Sequence, residues 1–124
     1  TPKNLQGQSL VPMLKDPNAK GRGWAVTQVS RRPPKGQKER WYGYSLRTSR
    51  WRYTEWAQGD QGRELYDHDA DPRELTNLAN NPSHAKTVAQ LSRQLRKAVK
   101  ETFPASGKAP DIRPATWAPN LTNP

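Results

Sequence analysis

Hydrophobic and polar residues alternate most clearly between Tyr42 and Asp67. Apolar and β-branched side chains take every second position at Tyr42, Tyr44, Leu46 and Thr48, then resume as Trp51 and Tyr53, with Thr54 and Trp56 on the opposite face. A repeat of two is the repeat of a strand. Only Ser49 and Arg50 separate the runs, which leaves room for a tight hairpin. Gln58-Gly59-Asp60-Gln61-Gly62 supplies residues that tolerate positive φ at a second reversal, and Glu64 to Asp67 makes a further strand. Upstream, Trp24 to Val29 reads as a first strand with two fairly apolar faces, the pattern of a central strand rather than an edge. Arg73 to Ala79 predicts about one and a half helical turns. Asn81 as N-cap with Pro82 at the first helical position marks a second start. Ala85, Val88, Leu91, Leu95 and Ala98/Val99 then recur at steps of three or four, predicting a helix over 82–102 that lays one stripe on the sheet and ends near Phe103, before Pro104. The outer face of this helix carries Lys86, Arg93, Arg96, Lys97 and Lys100 as a solvated charged surface.

These elements predict an α+β fold: a small four-stranded antiparallel sheet covered by one C-terminal helix. The flanks differ. Thr1 to Lys15 holds Leu5, Leu10, Val11, Met13 and Leu14 around Gly7 and Pro12, a segment too short to hold a helix unaided and in need of something to pack against. Prolines at 110, 114, 119 and 124 make the end of the chain an extended tail, with Ile112, Trp117 and Leu121 available to a partner. The chain therefore divides into a leading segment (1–23), a packed unit (24–103) and a Pro-rich tail (104–124).

Composition narrows the function. With 31% hydrophobic residues and 12 prolines in 124 residues, an ordered core is confined to the middle. The absence of cysteine excludes disulfides, thiolate metal sites and a cysteine nucleophile. A charge of +10 draws phosphates, sulfated polymers or anionic surfaces, and the aromatic strands add the alternative of a stand-alone polyanion or nucleic-acid binding module. No apolar run approaches about 18 residues, so no membrane partner is expected. The first residue is Thr1 rather than Met, and the chain reads as a piece of something larger.

Candidate chemistry is sparse. Asp67-His68-Asp69-Ala70-Asp71 gathers carboxylates and an imidazole, but a polar turn accounts for them as readily as a metal site. His84 reads as a surface residue without a partner in sequence. Asn120-Leu121-Thr122 matches a glycosylation sequon, a weak three-residue signal. The basic loop from Ser30 to Arg40 is stiffened by Pro33 and Pro34, and reads either as a solvated hairpin or as an anion-contacting loop.

Four linked motifs go further. Gly43-Tyr44-Ser45-Leu46-Arg47-Thr48, Trp51-Arg52-Tyr53-Thr54-Glu55-Trp56, Glu64-Leu65-Tyr66-Asp67 and Asp71-Pro72-x-Glu74-x-x-Asn77-Leu78 together resemble the C-terminal part of type I sulfatases, especially the iduronate-2-sulfatase-like group. Leu5 to Pro17 is similar to the segment leading out of that family's large catalytic domain. The resemblance implies an alkaline-phosphatase-like α/β domain preceding this one, and a four-stranded sheet with a packed helix here. It also implies that formylglycine, made from the Cys or Ser of a Cys/Ser-x-Pro-x-Arg motif, and calcium belong to the catalytic domain. That motif is absent from these residues, so the chain alone is expected to be inactive, with no cofactor of its own. Its implied partners are the catalytic domain and a sulfated saccharide, and the implied location is secreted or periplasmic. In the family the loop after the first small-sheet strand nears the active-site mouth, which maps to Gln28 through Trp41. Gln28, Arg31, Arg32, Lys35 and Trp41 are thus the candidate substrate contacts, the guanidinium forks suiting carboxylate and sulfate oxygens.

Overall fold

A computed structural model describes residues 7–31, 35–36 and 41–102. Arg32, Leu5, Phe103 and the 104–124 tail lie outside the described residues. Strands β1 (Trp24–Arg31), β2 (Trp41–Thr48), β3 (Trp51–Trp56) and β4 (Arg63–Asp67) form one antiparallel meander in the order β1-β2-β3-β4. Ser49 and Arg50 make the expected two-residue turn between β2 and β3. At the β3–β4 reversal Gln58, Gly59 and Gly62 take φ values of 58°, 98° and 116°, the left-handed region that glycine enters without steric cost.

The register sets the core. Val26 lies opposite Leu46, Leu46 opposite Tyr53, and Tyr53 opposite Leu65, so one face of the sheet presents a continuous apolar row. Helix α2 (Ala85–Thr102) covers that row with Val88, Leu91 and Leu95, while Ala98 is also buried. Trp24, Tyr44, Trp51, Leu78 and Val99 pack around the cluster. Each large aliphatic side chain buried here contributes about 1.5–3 kcal/mol, which makes α2 the main cover of the sheet. Asn81 caps the helix entry through its Oδ1, which accepts from the Ser83 N–H at 3.0 Å, and a 3-10 turn over Pro82–His84 leads into α2.

Two expectations are corrected. β1 is an edge strand, not a central one. Trp24 and Val26 supply its helix-facing contacts, whereas Ala25, Thr27 and Val29 fall on the helix-free face and stay exposed. Of its two apolar faces, one packs on the core and the other is left exposed, rather than both being buried. Residues 73–79 are not helical. Glu74 takes a left-handed φ of 57°, and the Thr76 N–H donates to Asp71 Oδ2 instead of to a helical carbonyl. Asn77 also turns its amide onto the edge of β4, accepting from the Leu65 N–H and donating to the Arg63 carbonyl, each at 3.0 Å. The Leu78 N–H adds a bond to the Leu65 carbonyl at 2.8 Å. Short polar side chains that bond backbone locally compete with helix formation, and here they close the open edge of β4.

Ahead of the sheet, a five-residue helix α1 (Val11–Lys15) has no buried residue, with Leu10 63% and Leu14 83% exposed.

Candidate functional site

Strand alternation gives the sheet two chemically different faces. The helix-facing side includes Glu55, only 3% exposed. Its Oε1 accepts from the Tyr53 hydroxyl at 2.7 Å and from the Ser92 hydroxyl at 2.5 Å, and its Oε2 pairs with Arg96 Nε at 3.2 Å. Burial, and then the bond to Glu55, push the Tyr53 phenol up to about 12. Arg96, expected on the solvated face, instead folds back onto this carboxylate and onto the Gln58 carbonyl. Burying a carboxylate is costly unless it is paired, and the Arg96 guanidinium reaches in from the surface to do so.

At the hairpin end, Arg50 grips Asp67 with two bonds of 2.9 and 2.6 Å, which holds the Asp67 carboxyl below its ordinary range. Arg50 and His84 also flank Trp51, at 4.6 Å over the ring and 5.7 Å edge-on. His84 is therefore half-buried and partnered, contrary to its reading as an isolated surface residue. His68 Nδ1 meets Arg47 Nη2 at 2.9 Å, which requires that nitrogen to accept, so its Nε2–H donates to Glu74 Oε1 at 2.6 Å. Arg52 Nε lies 2.9 Å from the same Glu74 oxygen as an ion pair, but is not aligned for a hydrogen bond. Glu74 thereby pairs with Arg52 directly and is linked to Arg47 through His68, the two arginines being directly opposed across β2 and β3. Asp67, His68 and Glu74 are committed to these pairings, and no group of three or more metal-ligating side chains occurs among the described residues.

The helix-free face carries the Arg31 end of β1. Arg31 ends β1 opposite Trp41, the first residue of β2. Its guanidinium stacks 3.9 Å from the centroid of the Trp56 ring. Trp56, 7% exposed, lies flat over Gly43, where a Cβ would come within 2.7 Å of the indole, and its Nε1–H donates to Glu64 at 3.2 Å. Lys35 sits exposed in the turn with Gly36 beyond Arg31. Among the candidate contacts, Arg31 and Trp41 share this face. Gln28, three residues before Arg31, falls on the helix face and donates to the Tyr44 hydroxyl at 3.2 Å. Sequence reasoning missed Trp56, Gly43 and Glu64. The signal available for them was a glycine inside a strand pattern, which marks a close approach by another group.

Most aromatic side chains of the sheet are buried or packed on the core rather than laid open for base stacking. Tyr53 and Trp56 are buried, and Trp24, Tyr44 and Trp51 pack on the core beneath Val88, Leu91 and Leu95. Stacking of nucleic-acid bases needs open aromatic faces.

A sheet of this kind with one covering helix is shared with solved sulfatases. Residues 1–101 match the N-sulphoglucosamine sulphohydrolase C-terminal family, and the chain belongs to that family. It is 34% identical over 107 residues to arylsulfatase K of Gallus gallus, covering 78% of this chain and 18% of that protein. It is 42% identical over 48 residues to a delta 4,5-hexuronate-2-O-sulfatase of Bacteroides thetaiotaomicron, covering 39% and 10%. A solved 2-O GAG sulfatase superposes with a TM-score of 0.67 at 28% identity, over 82% of this chain and 21% of that one. The chain thus spans a fifth or less of the curated relatives it matches. No helix among the described residues is long and apolar enough to cross a membrane.

Proposed function

We propose that this chain is the C-terminal subdomain of a full-length sulfatase that hydrolyses sulfate esters of a sulfated sugar of the glycosaminoglycan type. Two relatives support that substrate class, one a hexuronate-2-O-sulfatase and the other a 2-O GAG sulfatase. Residues 1–23 lead out of the catalytic domain, and 24–103 form the subdomain. The exposed apolar positions of α1 dock on that catalytic domain, and the whole enzyme is secreted or periplasmic. Formylglycine and calcium of the catalytic domain supply the bond-breaking chemistry. The residues of this chain bind and orient the sugar.

The observation that carries this reading is Arg31, an exposed guanidinium fixed on Trp56 where the basic loop leaves β1. Arg31, with Arg32 and Lys35 in the same loop and Trp41 beside it, meets carboxylate or sulfate groups of the sugar, and the scissile ester is left to the catalytic domain. Gln28 holds Tyr44 behind them. A charge-assisted hydrogen bond is worth about 1.5–3 kcal/mol, so loss of one such contact corresponds to about a tenfold to hundredfold change in affinity. Reversal of both charges, Arg31→Glu with Arg32→Glu, in the full-length enzyme is expected to raise KM for a 2-O-sulfated uronic-acid disaccharide by at least about tenfold, with kcat little changed. An unchanged KM overturns the assignment.

A further inference from the structure

We infer that Trp56 is a positioning residue for substrate specificity. Its indole, clamped between Gly43 and Glu64, holds the Arg31 guanidinium in the one place from which it selects anionic sugars. The inference rests on the reading of Arg31 as a sugar contact and goes beyond it by naming what aims that contact. Arg31 lies at the end of an edge strand, next to a loop, where a long flexible side chain samples many rotamers. The Trp56 ring face removes that freedom, because a guanidinium over an indole is attracted by the ring quadrupole and keeps its in-plane N–H groups free to donate.

The indole is held on two sides. Gly43 and Trp56 are opposed across β2 and β3, and the missing side chain at 43 is what lets the ring lie against the strand. Any Cβ there would sit 2.7 to 2.9 Å from three ring carbons. On the far side of the ring system, the Nε1–H bond to Glu64 fixes rotation in the plane. All four strands thus converge on one cation: β1 supplies it, β2 makes room, and β3 with β4 sets the surface it rests on.

The test compares two substrates in the full-length enzyme, a 2-O-sulfated uronic-acid disaccharide and the small aryl ester p-nitrophenyl sulfate, which has no sugar anion. Trp56→Leu is expected to raise KM for the disaccharide about fivefold, a cation–π contribution of about 1 kcal/mol, and to leave KM and kcat for the aryl ester unchanged. Trp56→Phe, which keeps a ring face, retains most of the affinity. Gly43→Ala, which displaces the ring without touching Arg31, reproduces the direction of the Leu variant and keeps the question answerable if that variant does not fold. In an Arg31→Ala background none of the three has a further effect on the disaccharide KM. Equal losses on both substrates, or an undiminished effect in the Arg31→Ala background, overturn the inference. If Arg31→Ala itself leaves the disaccharide KM unchanged, the sugar-contact reading fails instead. If Arg31→Ala raises KM while the Trp56 and Gly43 variants do not, the positioning role alone is wrong.

Discussion

Glu55 is the residue whose environment departs furthest from what its type favours. A carboxylate 3% exposed within a small sheet is tolerated because Tyr53, Ser92 and Arg96 all donate to it. Arg96→Met removes the only cation of that set and leaves a buried negative charge. The expected cost is about 3 kcal/mol, the low end of the range for breaking a buried pair, because two hydroxyl donors remain and half of the Arg96 side chain is in water. Combining it with Glu55→Leu should recover most of the loss, since the uncompensated charge is then gone. Thermal and denaturant unfolding of the two variants measures both effects, and equal instability of the single and double variants would contradict them. Sequence could not reveal this pair. Periodicity placed Arg96 off the apolar stripe, which is where its Cα lies, but a long guanidinium stem bends back toward a charge that only the three-dimensional register of β3 brings beneath it.

The strands and the long helix were legible in the residues because their signals are local: alternation at Tyr42 to Trp56, two turn residues at Ser49 and Arg50, and Asn81-Pro82 before a three-four stripe. Where the reading failed, non-local partners decided. The 73–79 segment has helix-compatible spacing, yet Asn77 is drawn to the unpaired edge of β4 and Glu74 to Arg52 and His68. Asn77 reaches back 12 residues to β4, and Glu74 reaches Arg52 in β3 as well as His68 just past the end of β4. β1 appeared central because its helix-free face is apolar, and only the strand order exposes it as an edge. Of the candidate site, the basic loop was visible and its platform was not, since Gly43 and Trp56 meet through pairing alone. The end of β4 is tied to the β2–β3 turn by Arg50 and Asp67. Because hydrogen bonding from Arg50 lowers the Asp67 pKa, that tie contributes stability above the ordinary carboxylate range and loses it as pH falls through the lowered value. The difference in melting temperature between the wild type and Asp67→Asn should therefore shrink on acidification below about pH 4. A difference that stays constant down to the acid unfolding limit would contradict the linkage.

The chain combines a net charge of +10 with, among the described residues, a modest apolar core and a helix α1 that has no buried residue. A base-stacking module would keep its aromatic faces open, and this sheet buries Tyr53 and Trp56 and packs Trp24, Tyr44 and Trp51 on its core. A subdomain of a larger enzyme needs only to close one side of that enzyme and to present a fixed cation, and Arg31 on Trp56 does the second. The most direct test is a peptide map with intact mass of the native protein that contains these 124 residues. The account predicts that they are covalently continuous with a larger chain bearing a Cys/Ser-x-Pro-x-Arg peptide whose first residue is oxidised to formylglycine. A native protein made and purified as the 124-residue chain alone, or a larger chain without that peptide, would contradict it.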